Sequence, residues 1–208
     1  MPIFDLSLYL VTDRRLSLGR SLEEVVVEGV KGGVTMVQLR EKECSTLAFY
    51  ELAMRLKELL SPYKVPLIIN DRLDIALACD ADGVHIGQSD MPYAVARRML
   101  GYDKIIGLSV ETLEQAKLAN ELDVDYIGIS PVFSTPTKTD TLLPFGLDGI
   151  QQVKQICKHQ AVAIGGIHAE NAKQVYQAGA DGIAVVSEIM SATDPCKAAR
   201  ILKETLKR

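Results

Sequence analysis

The sequence predicts an α/β protein with the architecture of a (β/α)8 barrel, or TIM barrel. Short apolar runs recur about every 25 residues, and most of them are separated by segments with helical periodicity. The runs are continuous rather than alternating, which is typical of a parallel sheet covered by helices. Eight such units in 208 residues lie near the lower size limit of this barrel.

Eight candidate strands follow from these runs. They are Leu8–Val11, Met36–Leu39, Leu67–Ile69, Gly83–Ile86, Ile105–Leu108, Tyr126–Ile129, Ala161–Ile164 and Ile183–Val186. Three of the intervening helices begin with recognisable N-caps, namely Ser21 with Glu24, Ser45, and Asp194 followed by Pro195. An open doubly wound sheet is the alternative, but it typically has five or six strands, and no GxGxxG follows strand one.

Composition points to one domain spanning residues 1–208. The chain is 48% hydrophobic, and it has neither an apolar run of membrane-spanning length nor a basic start to a signal peptide, so we expect a cytoplasmic protein without a membrane partner. Net charge is -4 with dispersed Lys and Arg, which argues against nucleic-acid binding. Cys44, Cys79, Cys157 and Cys196 have no metal-ligand spacing and are expected to be reduced. A homo-oligomer is among the states that the sequence allows.

Polar residues follow nearly every candidate strand, where barrel enzymes carry their active sites. In strand order they are Gln38, Arg40 and Lys42; Asn70 and Asp71; Gly87, Gln88 and Asp90; Ser109; the segment from Pro131 to Lys138; Gly165 and Gly166; and Ser187. Each has a structural explanation as a solvated rim, a turn or a helix cap. His85 is interpreted as a hydrogen-bonded barrel histidine rather than a catalyst, and His159 and His168 as surface residues. The convergence at strand ends favours function.

The charges match a phosphorylated ligand. Asp71 and Asp90 would emerge at the same end of the sheet and could share a divalent cation. Together with Arg40, Lys42 and Lys138 they would suit a diphosphate. Gly165-Gly166 and Ser187 occupy the loops in which barrel enzymes commonly bind a phosphate. Two phosphate-bearing substrates are therefore expected.

Seven motifs along nearly the whole chain together resemble the thiamine-phosphate synthase family. They are Tyr9–Asp13, Gln38–Lys42, Asn70–Arg72, Asp82–Asp90, Thr135–Lys138, Ala163–Ile167 and Val185–Ser187. The resemblance implies a transferase that couples 4-amino-2-methyl-5-pyrimidinylmethyl diphosphate to a thiazole phosphate and releases pyrophosphate. It also implies that Asp71 and Asp90 hold Mg²⁺.

The same resemblance assigns the substrate-binding residues. The pyrimidine diphosphate would be bound by Gln38, Arg40, Lys42, Asn70, Ser109 and Lys138. The thiazole phosphate would be bound by Thr135, Thr137, Gly166, Val186 and Ser187. Among these residues, the catalytic ones would be Arg40, Lys42, Ser109 and Lys138, with the basic groups stabilising the departing pyrophosphate. Residues 134–140 are expected to act as a lid.

Two positions depart from the family pattern. Ser109-Val110-Glu111 replaces a Ser-Thr/Ala-His sequence, and Ser130 stands where Gly is usual. Two alternatives remain at this point: a related thiazole tautomerase, and a non-catalytic barrel that binds phosphorylated metabolites. The acids and bases needed for diphosphate loss favour the synthase over both.

Overall fold

The computed structural model describes residues 3–135 and 143–206, and within them it confirms the barrel. Parallel strands pair in sequence order, and β8 pairs with β1 to close the sheet. The strands are β1 (Leu8–Val11), β2 (Met36–Leu39), β3 (Leu67–Asn70), β4 (Gly83–Ile86), β5 (Ile105–Val110), β6 (Tyr126–Ile129), β7 (Gln160–Ile164) and β8 (Gly182–Val185). Each lies within two residues of its predicted bounds.

Helices surround the sheet. In the described ranges they are α1 (Leu22–Gly32), α2 (Thr46–Leu60), α3 (Leu73–Ala78), α4 (Tyr93–Leu100), α5 (Leu113–Leu118), α6 (Gly146–Ile156), α7 (Ala169–Gln177), α8 (Ser187–Met190) and α9 (Pro195–Thr205). All three predicted N-caps are confirmed: Ser21 and Glu24 form a reciprocal capping box, Ser45 accepts from Ala48 N, and Asp194 accepts from Lys197 N.

Two apolar cores hold the molecule together. The larger lies between the outer face of the sheet and the helices, and a smaller one fills the barrel interior around Tyr9, Met36, Ile68 and Tyr126. Side chains alternate along a strand, so the inward-facing position two residues after each of these core residues lies nearer the C-terminal end of its strand. On β2 that position is Gln38. The interior is therefore apolar below and polar above.

A buried ion pair lies near the N-terminal ends of β5 and β6. Arg97 and Asp125 lie 2.6 Å apart with side chains 7% and 4% exposed. Arg97 also donates to the carbonyls of Gly101, Lys104 and Asp123, which ties α4 to the loops before β5 and β6. This cluster is at the opposite end from the predicted active site, and we interpret it as structural.

Two further expectations concern the whole chain. The four cysteines are all unpaired thiols, as expected. None of the helices in the described ranges combines the length and apolar character that crossing a bilayer requires. The cytoplasmic location and the single-domain boundaries remain predictions.

Candidate active site

A cavity of about 500 Å³ opens at the C-terminal ends of the strands. It brings together eight of the residues selected from the sequence: Gln38, Arg40, Lys42, Asn70, Asp71, Asp90, Ser109 and Val186. They come from five strands or the loops that follow them, so only the closed sheet makes them neighbours. The predicted convergence is confirmed for these eight residues, whereas their individual roles remain predictions.

The end of β2 and the segment after it supply the basic side of the cavity. Gln38, Arg40 and Lys42 all line it, as their alternation predicted. Arg40 N donates to Thr12 Oγ1 at 3.0 Å, and its guanidinium lies 3.6 Å from an Asp13 oxygen. The loop after β1 therefore holds the Arg40 backbone while the cationic side chains extend to the cavity wall.

Asp71 and Asp90 form the acidic side. Lys42 Nζ donates to Asp71 Oδ2 at 2.6 Å, and Gly87 N donates to Asp90 Oδ2 at 2.7 Å. Burial raises the pKa of the Asp90 carboxyl, and the adjacent negative charge of Asp71 raises it further. Asp71 has a left-handed backbone, with φ of 60°. This backbone conformation is uncommon for a non-glycine residue, and it occurs where two carboxylates also repel each other.

These two carboxylates fit a hard divalent cation. A cation between them would relieve their repulsion, and Mg²⁺ is commonly bound through one or two carboxylates with the other ligands from water and substrate phosphates. Among the described residues, no group of three or more His, Cys, Asp or Glu side chains is arranged as metal ligands. Two protein carboxylates fall below that number, so the magnesium site remains a prediction.

Three of the predicted thiazole-phosphate residues, Gly166, Val186 and Ser187, follow β7 and β8. Val186 lines the cavity, and Ser187 begins α8 directly after it. Gly165 and Gly166 have φ of 105° and 63°, and a Cβ on Gly166 would lie 2.8 Å from Ser134 O. Gly166, Ser187 and Thr135 do not line the cavity in the described structure.

Asn171 holds the glycine loop from α7. Its Nδ2 donates to Gly166 O at 2.9 Å, and its Oδ1 accepts from His168 N at 2.8 Å. His168 lies at the surface as expected, 3.0 Å from Glu188. Thr137, Lys138 and most of the proposed lid at 134–140 fall outside the described residues, so their predicted roles are untested.

The cavity is also lined by residues to which the sequence assigned no binding role. Tyr9 lines it, and Gln88 Nε2 donates to Ser109 O at 2.6 Å. Glu111 and Ser130, the two departures from the family pattern, both line it as well. The alternation along β5 and β6 could have identified them, since each lies two residues after an inward-facing position. These departures therefore contact the space in which substrates would bind.

His85 is hydrogen-bonded inside the barrel, as expected. Its Nδ1 lies 2.9 Å from Tyr126 Oη, and its Nε2 lies 2.8 Å from Ser109 Oγ. It also lines the cavity. Tyr9, from a motif quoted for the resemblance, and Tyr126, from a candidate strand, were given no role in holding His85.

The fold and the cavity define a (β/α)8-barrel enzyme whose active site combines paired carboxylates with basic groups. The family model described as thiamine monophosphate synthase matches residues 8–189. A thiamine-phosphate synthase of Albidiferax ferrireducens is 56% identical over 201 residues, covering 97% of this chain and 92% of the relative. One of Syntrophomonas wolfei is 54% identical and covers 98% of both chains.

A solved structure agrees with these sequence relatives. Thiamine phosphate pyrophosphorylase from Pyrococcus furiosus superposes with a TM-score of 0.88 at 40% identity, covering 97% of this chain and 95% of that one. The chain therefore belongs to the thiamine monophosphate synthase family. Family membership at this level of identity makes it a transferase with thiamine-phosphate synthase activity.

Proposed function

We propose that the chain couples 4-amino-2-methyl-5-pyrimidinylmethyl diphosphate to a thiazole phosphate, with Mg²⁺ held by Asp71 and Asp90. The observation that supports this most strongly is the meeting of two carboxylates with Arg40 and Lys42 in one cavity. Acids alone would repel a diphosphate, and bases alone would not bind a metal. Both are needed when a metal and a polyanion bind together.

The protein residues would act mainly by positioning and by charge. Arg40 and Lys42 would bind the diphosphate and stabilise the negative charge that grows on departing pyrophosphate. Mg²⁺, when bound, would further neutralise the negative charge of the diphosphate. Lys42 is already 2.6 Å from Asp71, so it can contact the metal ligand and the substrate from one position. Lys138 would add a third positive charge.

In this dissociative substitution the bond to pyrophosphate would break first, and the thiazole nitrogen would then form the new bond to the pyrimidinylmethyl cation. The electron pair of the broken bond leaves with pyrophosphate, and the pyrimidine amino group supports the positive charge on the carbon. No enzyme nucleophile or strong base is required. The ionisable side chains proposed as ligands are acids and bases suited to binding a metal and a polyanion, and the mechanism asks nothing further of them.

A pyrophosphate-release assay tests the proposal directly. Each substrate alone, and then the pair, should be assayed with and without Mg²⁺, and release is expected only with the pair and the metal. A tautomerase would isomerise the thiazole phosphate without releasing pyrophosphate, and a non-catalytic barrel would bind without turnover. Release that continues unchanged in a chelator would contradict the metal assignment.

A matched pair of variants locates the metal. Asp90→Asn should remove most of the Mg²⁺-dependent activity while the barrel remains folded, because Asp90 lies at the rim. Asp103→Asn, an exposed acid near the opposite end of the barrel, should behave like the unmodified chain. Equal activity in both variants at saturating substrate would refute the role of Asp90.

A further inference from the structure

A continuous hydrogen-bond chain crosses the barrel interior beneath the cavity. Gln38 Nε2 donates to Tyr9 Oη at 2.8 Å, and Tyr9 Oη lies 2.9 Å from Tyr126 Oη. Tyr126 Oη lies 2.9 Å from His85 Nδ1, and His85 Nε2 lies 2.8 Å from Ser109 Oγ. The chain thus links two side chains that line the cavity from strands on different sides of the barrel.

Gly107 leaves room for this hydrogen-bond chain because it has no side chain. A Cβ at that position would lie 2.5 Å from His85 Nδ1 and closer still to the Tyr126 ring. Gly107 pairs in register with Tyr126 on the neighbouring strand, so any other side chain would displace the tyrosine. Both tyrosines are buried, with 1% and 0% of their surface exposed. A buried polar path of this kind is stable only when each member is satisfied.

The hydrogen bonds run in one direction because the Gln38 group that meets Tyr9 is the amide NH₂, which can only donate. An amide NH₂ has no acceptor, so Tyr9 must accept from Gln38 and give its own proton to Tyr126. Burial raises the pKa of both tyrosine hydroxyls, so each keeps its single proton at neutral pH. Tyr126 then donates to His85 Nδ1, which leaves a neutral imidazole with its proton on Nε2.

The direction determines what the two ends offer to a ligand. His85 Nε2–H donates to Ser109 Oγ, so the Ser109 hydroxyl proton is directed away from His85 as a donor. At the other end, Gln38 keeps Oε1 as an acceptor. If the amide were reversed, every bond in the chain would reverse and the two ends would exchange roles.

We infer that Tyr9 and Tyr126 are positioning residues that transmit the orientation of the Gln38 amide to His85 and so set the hydrogen-bonding roles of Gln38 and Ser109. The inference rests on the proposed function only in assigning Gln38 and Ser109 to the pyrimidine diphosphate. The tyrosines need not touch the substrate. They remove the cost of ordering two polar contacts each time that the substrate binds.

The tautomer of His85 shows directly in which direction the hydrogen-bond chain runs. The full chain has 3 histidines, so uniform ¹⁵N-histidine labelling gives few signals, and His159 and His168 serve as internal reporters of folding. Long-range ¹H–¹⁵N spectra near pH ~8, where unperturbed imidazoles are neutral, distinguish the two tautomers. The unmodified protein should show His85 as the Nε2–H form.

Variants test whether the orientation is transmitted. Gln38→Met removes the donor, and Tyr9→Phe breaks the path, so in both variants His85 should become a mixture of tautomers although its own bonds in the chain are to Tyr126 and Ser109. Tyr93→Phe is the matched control, since it removes a tyrosine hydroxyl that donates to Asp123 O near the opposite end of the barrel. It should leave the His85 signals unchanged.

Kinetics provide a second readout. Tyr126→Phe should raise KM for the pyrimidine diphosphate by about tenfold and leave KM for the thiazole phosphate unchanged, because one buried hydrogen bond is lost from one subsite. An Nδ1–H tautomer in the unmodified protein, or unchanged His85 signals in both Gln38→Met and Tyr9→Phe, would overturn the inference. Neither result would affect the proposed function, which pyrophosphate release tests separately.

Discussion

Gly107→Ala is expected to damage both stability and activity. Gly107 faces inward on β5, where its added methyl would overlap the Tyr126 ring and crowd His85 Nδ1. Both neighbours are held by hydrogen bonds on their far sides, Tyr126 to Tyr9 and His85 to Ser109. They cannot move away without breaking the chain beneath the cavity.

The magnitude follows from three effects. Overpacking a well-filled interior costs about 1–3 kcal/mol, and leaving a buried hydroxyl or imidazole nitrogen unpaired costs about 1–3 kcal/mol more. Replacing glycine by alanine within a strand offsets about 0.5–1 kcal/mol of this. The net loss is about 1–5 kcal/mol, and for a domain of this size 1 kcal/mol corresponds to about 2–4 °C in Tm, so we expect Tm to fall by about 2–20 °C.

Gly128→Ala is the matched control. Gly128 also faces inward, one strand along, and pairs in register with Ser109, but its added Cβ would lie 3.2 Å from His85 Cε1. A shift of a few tenths of an ångström accommodates that contact. Thermal unfolding and pyrophosphate release should be measured for both variants. A Tm for Gly107→Ala within about 2 °C of the unmodified chain, or an equal loss in Gly128→Ala, would refute this reasoning.

Further predictions concern other parts of the molecule. Ser187→Ala should weaken thiazole-phosphate binding and Arg40→Ala diphosphate binding, and titrations that show equal losses for both ligands would contradict two subsites. Lys138→Ala should slow the single-turnover chemical step more than it weakens substrate binding, and the reverse would make Lys138 a binding residue only. Arg97→Leu should reduce the free energy of unfolding by about 3–5 kcal/mol by denaturant titration, because it leaves Asp125 buried without its cation, and a loss below about 1 kcal/mol would contradict this.

Much of the fold follows from local sequence patterns. Continuous apolar runs such as Leu67–Ile69 form strands because both faces of a parallel strand in this barrel are covered. Ser21 and Glu24 begin a helix through hydrogen bonds that span three residues, so a short window of sequence contains all the information needed. The boundaries differ by a residue or two because strand ends depend on pairing with neighbours. Val186, for instance, was predicted to lie in the last strand but follows it.

The site was predictable in outline for a related reason. In a barrel of parallel strands, residues that follow different strands meet at one end whatever their distance in sequence. Arg40, Asp71 and Ser109 could therefore be grouped before any contact was known. The sequence could not show that Lys42 pairs with Asp71, or that burial and Asp71 together raise the pKa of Asp90. Those effects depend on distances of a few ångströms.

The sequence by itself determined the strand and helix order, the end of the barrel that carries the site, and the family. Only the tertiary structure decided which residues contact one another inside the barrel. Tyr9 and Tyr126 are 117 positions apart, and their hydroxyls meet only because the sheet closes with one register. Local patterns encode periodicity, whereas this hydrogen-bond chain requires atoms from five strands to be placed so that each lies within about 3 Å of the next.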